Sequence, residues 1–260
     1  MTDTPQTASP SYRLASLDQD FLLGDSMRGV RFLLEFSKTA EALDKRGVRS
    51  TIVVFGSARV REDGPGNQRR WYTQAREFGR IASQRGGALL NHGSTRDNVI
   101  ATGGGPGIME AANRGAADSG APTIGFNITL PQEQLPNSFS TPELTFRFHS
   151  FAMRKMHLAM HANALVVFPG GFGTMDELFE VLTLIQTKTP RKQMPVVLFG
   201  EEFWDDVVNF DALVKWGVVS PADLDIFHKT DSVDDAFEFI TQRLEKLYLT
   251  PKGLEQVKLT

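Results

Sequence analysis

Short apolar runs rich in β-branched residues alternate along this chain with stretches of helical periodicity. The strand-type runs are STIVVF, GALL, NVIAT, PTIGFNI, ALVVF and PVVLF. The helical stretches lie near residues 106–119, 151–161, 174–187 and 203–216. Such alternation is typical of βαβ units, whose parallel strands are buried on both faces. The sequence therefore predicts an α/β fold with a doubly wound parallel sheet.

The ends of the chain differ from this alternating region. Residues 1–16 are polar and contain several Thr, Ser and Pro residues, which predicts a mobile tail. Apolar residues recur at helical spacing through 18–45, so we expect one amphipathic helix there. With 260 residues and 41% hydrophobic content, residues 17–250 can form a single domain with a full core, followed by a C-terminal tail at 251–260.

Composition excludes several classes of function. The 28 Lys and Arg residues against 31 Asp and Glu residues give a net charge of -3, so no general attraction to nucleic acid or anionic membranes is expected. The absence of cysteine excludes disulfides and thiolate metal sites. The first residues lack the pattern of a secretory signal, and no apolar run is long enough to span a bilayer. We therefore expect a soluble, cytoplasmic protein.

Two glycine-rich segments follow strand-type runs and lead into helices. They are TGGGPGIMEAANRGA at 102–116 and PGGFGTMDE at 169–177. Backbone N–H groups at such strand-to-helix turns can bind a phosphate, and ligands of doubly wound sheets lie at the carboxyl ends of the strands. Neither segment contains G-x-G-x-x-G or G-x-x-x-x-G-K-[ST], which disfavours a dinucleotide or nucleoside triphosphate site. A mononucleotide is the favoured ligand.

These two segments, with MRK at 153–155 between them, resemble the Lonely Guy family of nucleoside 5′-monophosphate phosphoribohydrolases. The family signature is GGGxxGxM followed by PGGxGTxxE, and the resemblance covers roughly residues 52–199. It implies a Rossmann-like fold, a homodimer or higher homo-oligomer, and hydrolysis of the N-glycosidic bond of AMP or a cytokinin nucleotide. Two features depart from the family: the N-terminal helix, which could change oligomer packing, and the longer segment at 91–98, which could reshape the nucleotide pocket.

Carried over residue by residue, the resemblance implies that Arg154 and Glu177 are catalytic. A carboxylate beside C1′ can stabilise the positive charge that develops on the ribose, and a guanidinium can hold phosphate or ribose oxygens. Neither a cofactor nor a metal is expected. The phosphate- and nucleotide-binding candidates are Ser57, Gly104, Gly105, Gly171, Gly173, Thr174 and Glu180.

Simpler interpretations stand beside these assignments. Thr174 and Glu177 have the T-x-x-E spacing of a capping box, in which Glu177 would only bond to the start of its own helix. Ser57 could merely begin a turn. His157 and His161 lie near Arg154 by helical spacing, but H-L-A-M-H lacks the glutamate of H-E-x-x-H, so a packing role is expected.

Two other functions compete with the N-glycosidase. A protein of this fold could bind a nucleotide or carry a molybdenum cofactor without turnover. A lysine decarboxylase, a label that relatives of this family often bear, would need a pyridoxal phosphate Schiff base, for which Lys155 is the lysine near the proposed site.

Overall fold

The structure is a computed structural model that describes residues 4–89, 95–130, 135–187 and 193–248. Its strands are β1 (Thr51–Phe55), β2 (Val99–Thr102), β3 (Ile124–Ile128), β4 (Thr145–Phe148), β5 (Ala162–Val167), β6 (Val196–Phe199) and β7 (Phe227–Thr230). Its α-helices are α1 (Pro5–Ala8), α2 (Gln19–Leu23), α3 (Arg28–Lys45), α4 (Gln68–Arg85), α5 (Ile108–Asp118), α6 (Phe151–Met160), α7 (Phe172–Gln186), α8 (Glu201–Val207), α9 (Phe210–Lys215) and α10 (Val233–Tyr248).

The strands form one parallel sheet in the order β4-β3-β2-β1-β5-β6-β7. This confirms the predicted doubly wound α/β fold. The chain builds one half of the sheet outward from β1 to β4 and then returns to place β5 on the other side of β1. The switch point between β1 and β5 leaves a crevice at their carboxyl ends, which is where ligands of such sheets bind.

Each face of the sheet carries its own apolar core. Side chains of β1 alternate between them: Val53 and Phe55 belong to one cluster, and Ile52 and Val54 to the other. The first cluster is closed by α3, α6, α7, α8 and α9, and the second by α4, α5 and α10. All five residues of β1 are buried, as expected for a central parallel strand.

The N-terminal region differs from the predicted helix over 18–45. The structure divides it into α2, a 3₁₀ turn at Asp25–Met27, and α3. Gly24 interrupts the helix with an extended backbone (ψ 158°), and Arg31 Nη1 donates to the carbonyls of Leu22 (2.8 Å) and Gly24 (2.7 Å). Because this side chain satisfies carbonyls that the interruption leaves open, the break is stabilised locally.

Residues before α2 form α1 and two 3₁₀ turns, Pro10–Tyr12 and Ala15–Leu17, none of which contains a buried residue. The mobility predicted for 1–16 stays a prediction. The predicted tail at 251–260 lies outside the described residues, as do 91–94 of the segment 91–98. In the described part of the chain, no helix combines the length and apolar character needed to cross a membrane.

Two sequence-based assignments of elements were wrong, and two strands were missed. Residues 87–89 of GALL are not a strand, and β4 and β7 were not predicted. The single helix expected over 203–216 is two helices, α8 and α9, because the backbone becomes extended at Val208 and the Asn209 side chain accepts from Ala212 N (2.8 Å) to begin α9.

Candidate active site

Three loops meet at the carboxyl ends of the central strands β1, β2 and β5. Ser57 N, after β1, donates to the carbonyl of Pro169, after β5 (3.0 Å), and Ser57 O accepts from Ile108 N at the start of α5 (3.1 Å). Gly107 has φ +74°, and a Cβ there would lie 2.3 Å from Ser57 O. Glycine is required at this position because it combines left-handed backbone with direct contact to another loop.

A buried network of polar side chains holds the loop after β2. Thr102 Oγ1 accepts from Gly104 N (2.9 Å) and donates to Asn113 Oδ1 (2.7 Å). Asn137 Nδ2 donates to Gly105 O (3.0 Å) and to Asn113 Oδ1 (2.9 Å). The two glycines predicted to bind phosphate therefore have a fixed backbone. Sequence reasoning missed Asn113 and Asn137, whose partners lie on other elements.

The loop after β5 opens directly into α7. Gly171 is the N-cap residue, and the helix begins at Phe172. A Cβ at Gly170 would lie 2.1 Å from Thr174 Oγ1, so this turn also needs glycine, whereas a Cβ at Gly171 or Gly173 meets no atom of the described residues within 4 Å. The first N–H groups of a helix lack acceptors within the helix and attract anions. The open start of α7 can therefore receive a phosphate.

The capping-box interpretation of Thr174 and Glu177 is wrong. Thr174 is the third residue of α7 rather than its N-cap, and its N–H bonds to Gly171 O (3.0 Å). The Glu177 carboxylate instead faces a neighbouring helix.

Arg154 of α6 and Glu177 of α7 form a buried ion pair. Arg154 Nη2 lies 3.1 Å from Glu177 Oε1, and the two side chains are 14% and 5% exposed. Arg154 Nη1 lies 3.9 Å from the position of a Cβ built on Gly103, so the guanidinium borders the loop after β2. Among the described residues, no atom accepts a hydrogen bond from buried Arg154 Nε. The pair thus combines a buried carboxylate with a guanidinium whose Nε–H has no acceptor among the described residues.

The environment of Glu177 raises its pKa on balance, although two neighbouring cations oppose part of that shift. Burial raises the pKa of Glu177, while Arg154 and Lys155 oppose that shift. An ionised carboxylate held next to a guanidinium in a water-poor site can act strongly on a nearby developing positive charge.

Glu180 belongs to a second ion-pair cluster, which it forms with Asp176 and Lys155. Lys155 Nζ is 2.7 Å from Asp176 Oδ2 and 2.8 Å from Glu180 Oε2. Burial lowers the pKa of Lys155, but hydrogen bonds to these two carboxylates outweigh it and keep the pKa above its usual value. Lys155 is therefore a firmly charged residue, and Glu180, a candidate nucleotide ligand, is its partner.

Ser57 and His157 both have structural roles. Ser57 Oγ accepts from Arg59 N (3.0 Å), the hydrogen bond expected if Ser57 begins a turn. His157 is fully buried and stacks against Phe36, Phe126 and Phe148 at ring-centroid distances of 5.1, 6.2 and 5.6 Å. In the described ranges, no three His, Asp or Glu side chains are placed to hold a metal ion.

Comparison with known proteins gives a family and a fold. The family model described as "Possible lysine decarboxylase" matches residues 109–240, just over half of the chain. The chain is 28% identical over 183 residues to the probable cytokinin riboside 5′-monophosphate phosphoribohydrolase LOGL5 of Oryza sativa subsp. japonica, covering 69% of this chain and 70% of that protein. It is 30% identical over 129 residues to cytokinin riboside 5′-monophosphate phosphoribohydrolase LOG3 of Arabidopsis thaliana, covering 48% of this chain and 57% of that protein.

Two solved structures share the architecture. The structural-genomics target TM1055 aligns with a TM-score of 0.52 at 22% identity, covering 74% of this chain and 99% of that one. The Moco carrier protein from Chlamydomonas reinhardtii aligns with a TM-score of 0.50 at 24% identity, covering 76% and 100%. At these identities the likeness concerns the fold. The matched family model and the curated relatives together make this chain a member of the Lonely Guy family, whose model bears the description of a possible lysine decarboxylase.

Proposed function

We propose that this protein hydrolyses the N-glycosidic bond of a nucleoside 5′-monophosphate, of the AMP or cytokinin riboside type, to free base and ribose 5-phosphate. The observation that carries the proposal is the buried Arg154–Glu177 pair, 3.1 Å apart, beside the open N-terminus of α7. Relatives named as cytokinin riboside 5′-monophosphate phosphoribohydrolases support the same reaction class.

The phosphate binds at the start of α7 in this scheme. The N–H groups of Phe172 and Gly173 belong to the first turn, which leaves them available to an anion. Gly104 and Gly105, with their backbone fixed by Asn137, border the crevice from the loop after β2. Binding the phosphate at the helix end directs the ribose along α7 towards Glu177.

At the sugar, the C1′–N bond breaks as water adds to C1′. The electron pair of the broken bond leaves with the base, which gains a proton, and the attacking water loses one. The ionised Glu177 carboxylate stabilises the positive charge of the ribose and orients the water. Arg154 opposes the upward effect of burial on the pKa of that carboxylate, and in this scheme its guanidinium also donates to the substrate.

Aromatic side chains near the site differ in their availability to a base. Phe126 and Phe148 are buried and pack against His157, whereas Phe172 is 96% exposed at the first position of α7. Of these three rings Phe172 is the one open to a ligand, and we assign it to the base.

Lys155 does not suit a pyridoxal phosphate decarboxylase. A Schiff-base lysine must present a neutral amine to an aldehyde, and such lysines have a lowered pKa. Lys155 has a raised pKa and is paired with two carboxylates.

The decisive experiment is chromatography of the products from AMP, CMP, GMP, UMP and isopentenyladenosine monophosphate. We expect free base from at least one of them. Arg154→Ala and Glu177→Gln should each reduce its release by at least about 100-fold, since each removes a group that acts at the ribose.

Two results would contradict the proposal. One is a folded parent protein that releases no base from any of these nucleotides; retention of a nucleotide or of a molybdenum cofactor without turnover would then favour the carrier alternative. The other is undiminished activity in Glu177→Gln.

The homodimer and the cytoplasmic location stay predictions.

A further inference from the structure

The N-terminal helix α3, which departs from the family pattern, makes a polar contact with the helix that carries Arg154. Glu35 Oε1 accepts from His149 N (3.0 Å), and Glu35 Oε2 accepts from Ser150 N (3.2 Å). These two N–H groups lie immediately before α6. One carboxylate therefore spans consecutive backbone donors at the start of the helix.

This contact is one hydrogen bond away from Arg154. Ser150, the N-cap residue of α6, donates its N–H to Glu35 and accepts from Arg154 N with its carbonyl (3.2 Å). A negative charge at this end of α6 also interacts favourably with the helix dipole. Glu35 thus fixes the first turn of α6, from which the Arg154 side chain reaches Glu177.

The next residue of α3 holds α6 one turn further on. The Phe36 ring stacks on His157 with centroids 5.1 Å apart and an interplanar angle of 28°. His157 is three residues after Arg154 and is fully buried. Glu35 and Phe36 of α3 therefore contact residues that come before and after Arg154 in the sequence.

We propose that Glu35 is a positioning residue for the N-glycosidase site, acting through the backbone of α6 to hold the Arg154 guanidinium against Glu177. The catalytic effect of Glu35 rests on the proposed function, whereas its effect on the first turn of α6 does not. The physical reason is that a guanidinium acts at a reacting sugar through geometry, and a displacement of about 1 Å can reduce a rate by as much as 100-fold.

The first test is independent of turnover. Amide hydrogen exchange of a peptide covering 151–160 is compared in the parent, Glu35→Ala and Glu41→Ala. Glu41 is a matched control because it lies on the same helix, carries the same charge and pairs with Lys45 (2.6 Å), also on α3. We expect faster exchange in α6 for Glu35→Ala alone. Unchanged exchange in that variant would overturn the inference.

The second test separates positioning from general stability. We expect Glu35→Ala to lower kcat roughly 10-fold with KM changed less than about 2-fold, since the hydrogen bonds that fix Gly104 and Gly105 come from Thr102 and Asn137, which do not lie on α6. Glu35→Gln keeps one acceptor oxygen and should recover part of the rate. Glu41→Ala should match the parent.

A double variant completes the test. In an Arg154→Ala background, Glu35→Ala should cause no further loss beyond about 2-fold, because the group that it positions is already absent. An equal loss in both backgrounds, or a loss confined to KM, would overturn the inference. If no nucleotide is hydrolysed but exchange in α6 still responds to Glu35→Ala, the proposed function fails while the control of α6 by Glu35 stands.

Discussion

At the residue scale, His157 combines full burial with a titratable ring. Burial lowers the pKa of His157 to about 4, with the nearby His161 acting in the same direction, and the groups that pack on it are the rings of Phe36, Phe126 and Phe148. The unfolded chain takes up a proton near pH 6.5, where the folded protein does not. The stability contributed by neutral His157 is therefore complete above pH 6.5 and is lost as the pH falls towards 4.

We expect the free energy of unfolding to drop by about 2 kcal/mol between pH 7 and pH 5 from this residue. Urea denaturation at the two pH values measures it. The variant His157→Leu lacks the titrating ring, so its stability should depend less on pH by that amount. An identical pH dependence in parent and variant would show that His157 is not the group responsible.

Phe172 is a second residue-scale feature, an almost fully exposed ring at the first position of α7. If it stacks on the base, Phe172→Ala should raise KM for the preferred nucleotide by roughly 5- to 150-fold, the cost of about 1–3 kcal/mol of lost stacking. Affinity for ribose 5-phosphate, which has no base, serves as the control and should not change. Parallel losses for both ligands would contradict a role in base binding.

At the element scale, the turn between β5 and α7 depends on Gly170. A Cβ there would lie 2.1 Å from Thr174 Oγ1, which forces the start of α7 to move. Gly170→Ala should therefore weaken nucleotide binding and lower the melting temperature. Gly29→Ala in α3 is the matched control, because its Cβ meets nothing within 4 Å of the described atoms, and it should raise stability by up to about 1 kcal/mol. Calorimetric titration and thermal unfolding check both variants.

The elements show which parts of the fold were predictable. The central strands β1, β5 and β6 each contain an apolar run of at least three residues, so their pattern was sufficient. The edge strands β4 and β7 read TFRF and FHKT, four residues each with polar positions, and are defined by pairing with β3 and β6. Short polar segments of this kind carry little local signal, because their hydrogen bonds come from distant neighbours.

The site residues also divide into those that the sequence could predict and those that it could not. Arg154 and Glu177 could be proposed because a family resemblance marks their positions, and the structure places them in contact. The supporting groups Glu35 and Asn137 could not, because they act on backbone that is 114 and 32 residues away in sequence. Ordinary polar residues of this type are recognisable only when the fold supplies their partners.

At the scale of the whole molecule, two apolar clusters lie on opposite faces of one sheet. Ile124 of β3 belongs to the first cluster and Ile240 of α10 to the second, and both are buried. Ile124→Val and Ile240→Val should each cost about 1 kcal/mol, and the double variant should equal the sum within about 0.5 kcal/mol.

Urea unfolding followed by circular dichroism and by tryptophan fluorescence provides the measurement. If 17–250 is a single domain, both probes should report one coincident transition in each variant. Separate transitions for the two probes would indicate that the two layers unfold independently and would contradict the single-domain prediction.

One helix, α7, carries both the N-terminus proposed to bind the phosphate and the carboxylate proposed to act on the sugar. From Phe172 to Glu177 the helix rises about 7.5 Å, at roughly 1.5 Å per residue. In the proposed site, this fixed distance must match the distance from a substrate's phosphorus to its anomeric carbon. A nucleoside that carries its phosphate on the 3′ oxygen, or has none, would place the scissile bond away from Glu177, so the proposed site predicts selection for 5′-monophosphates.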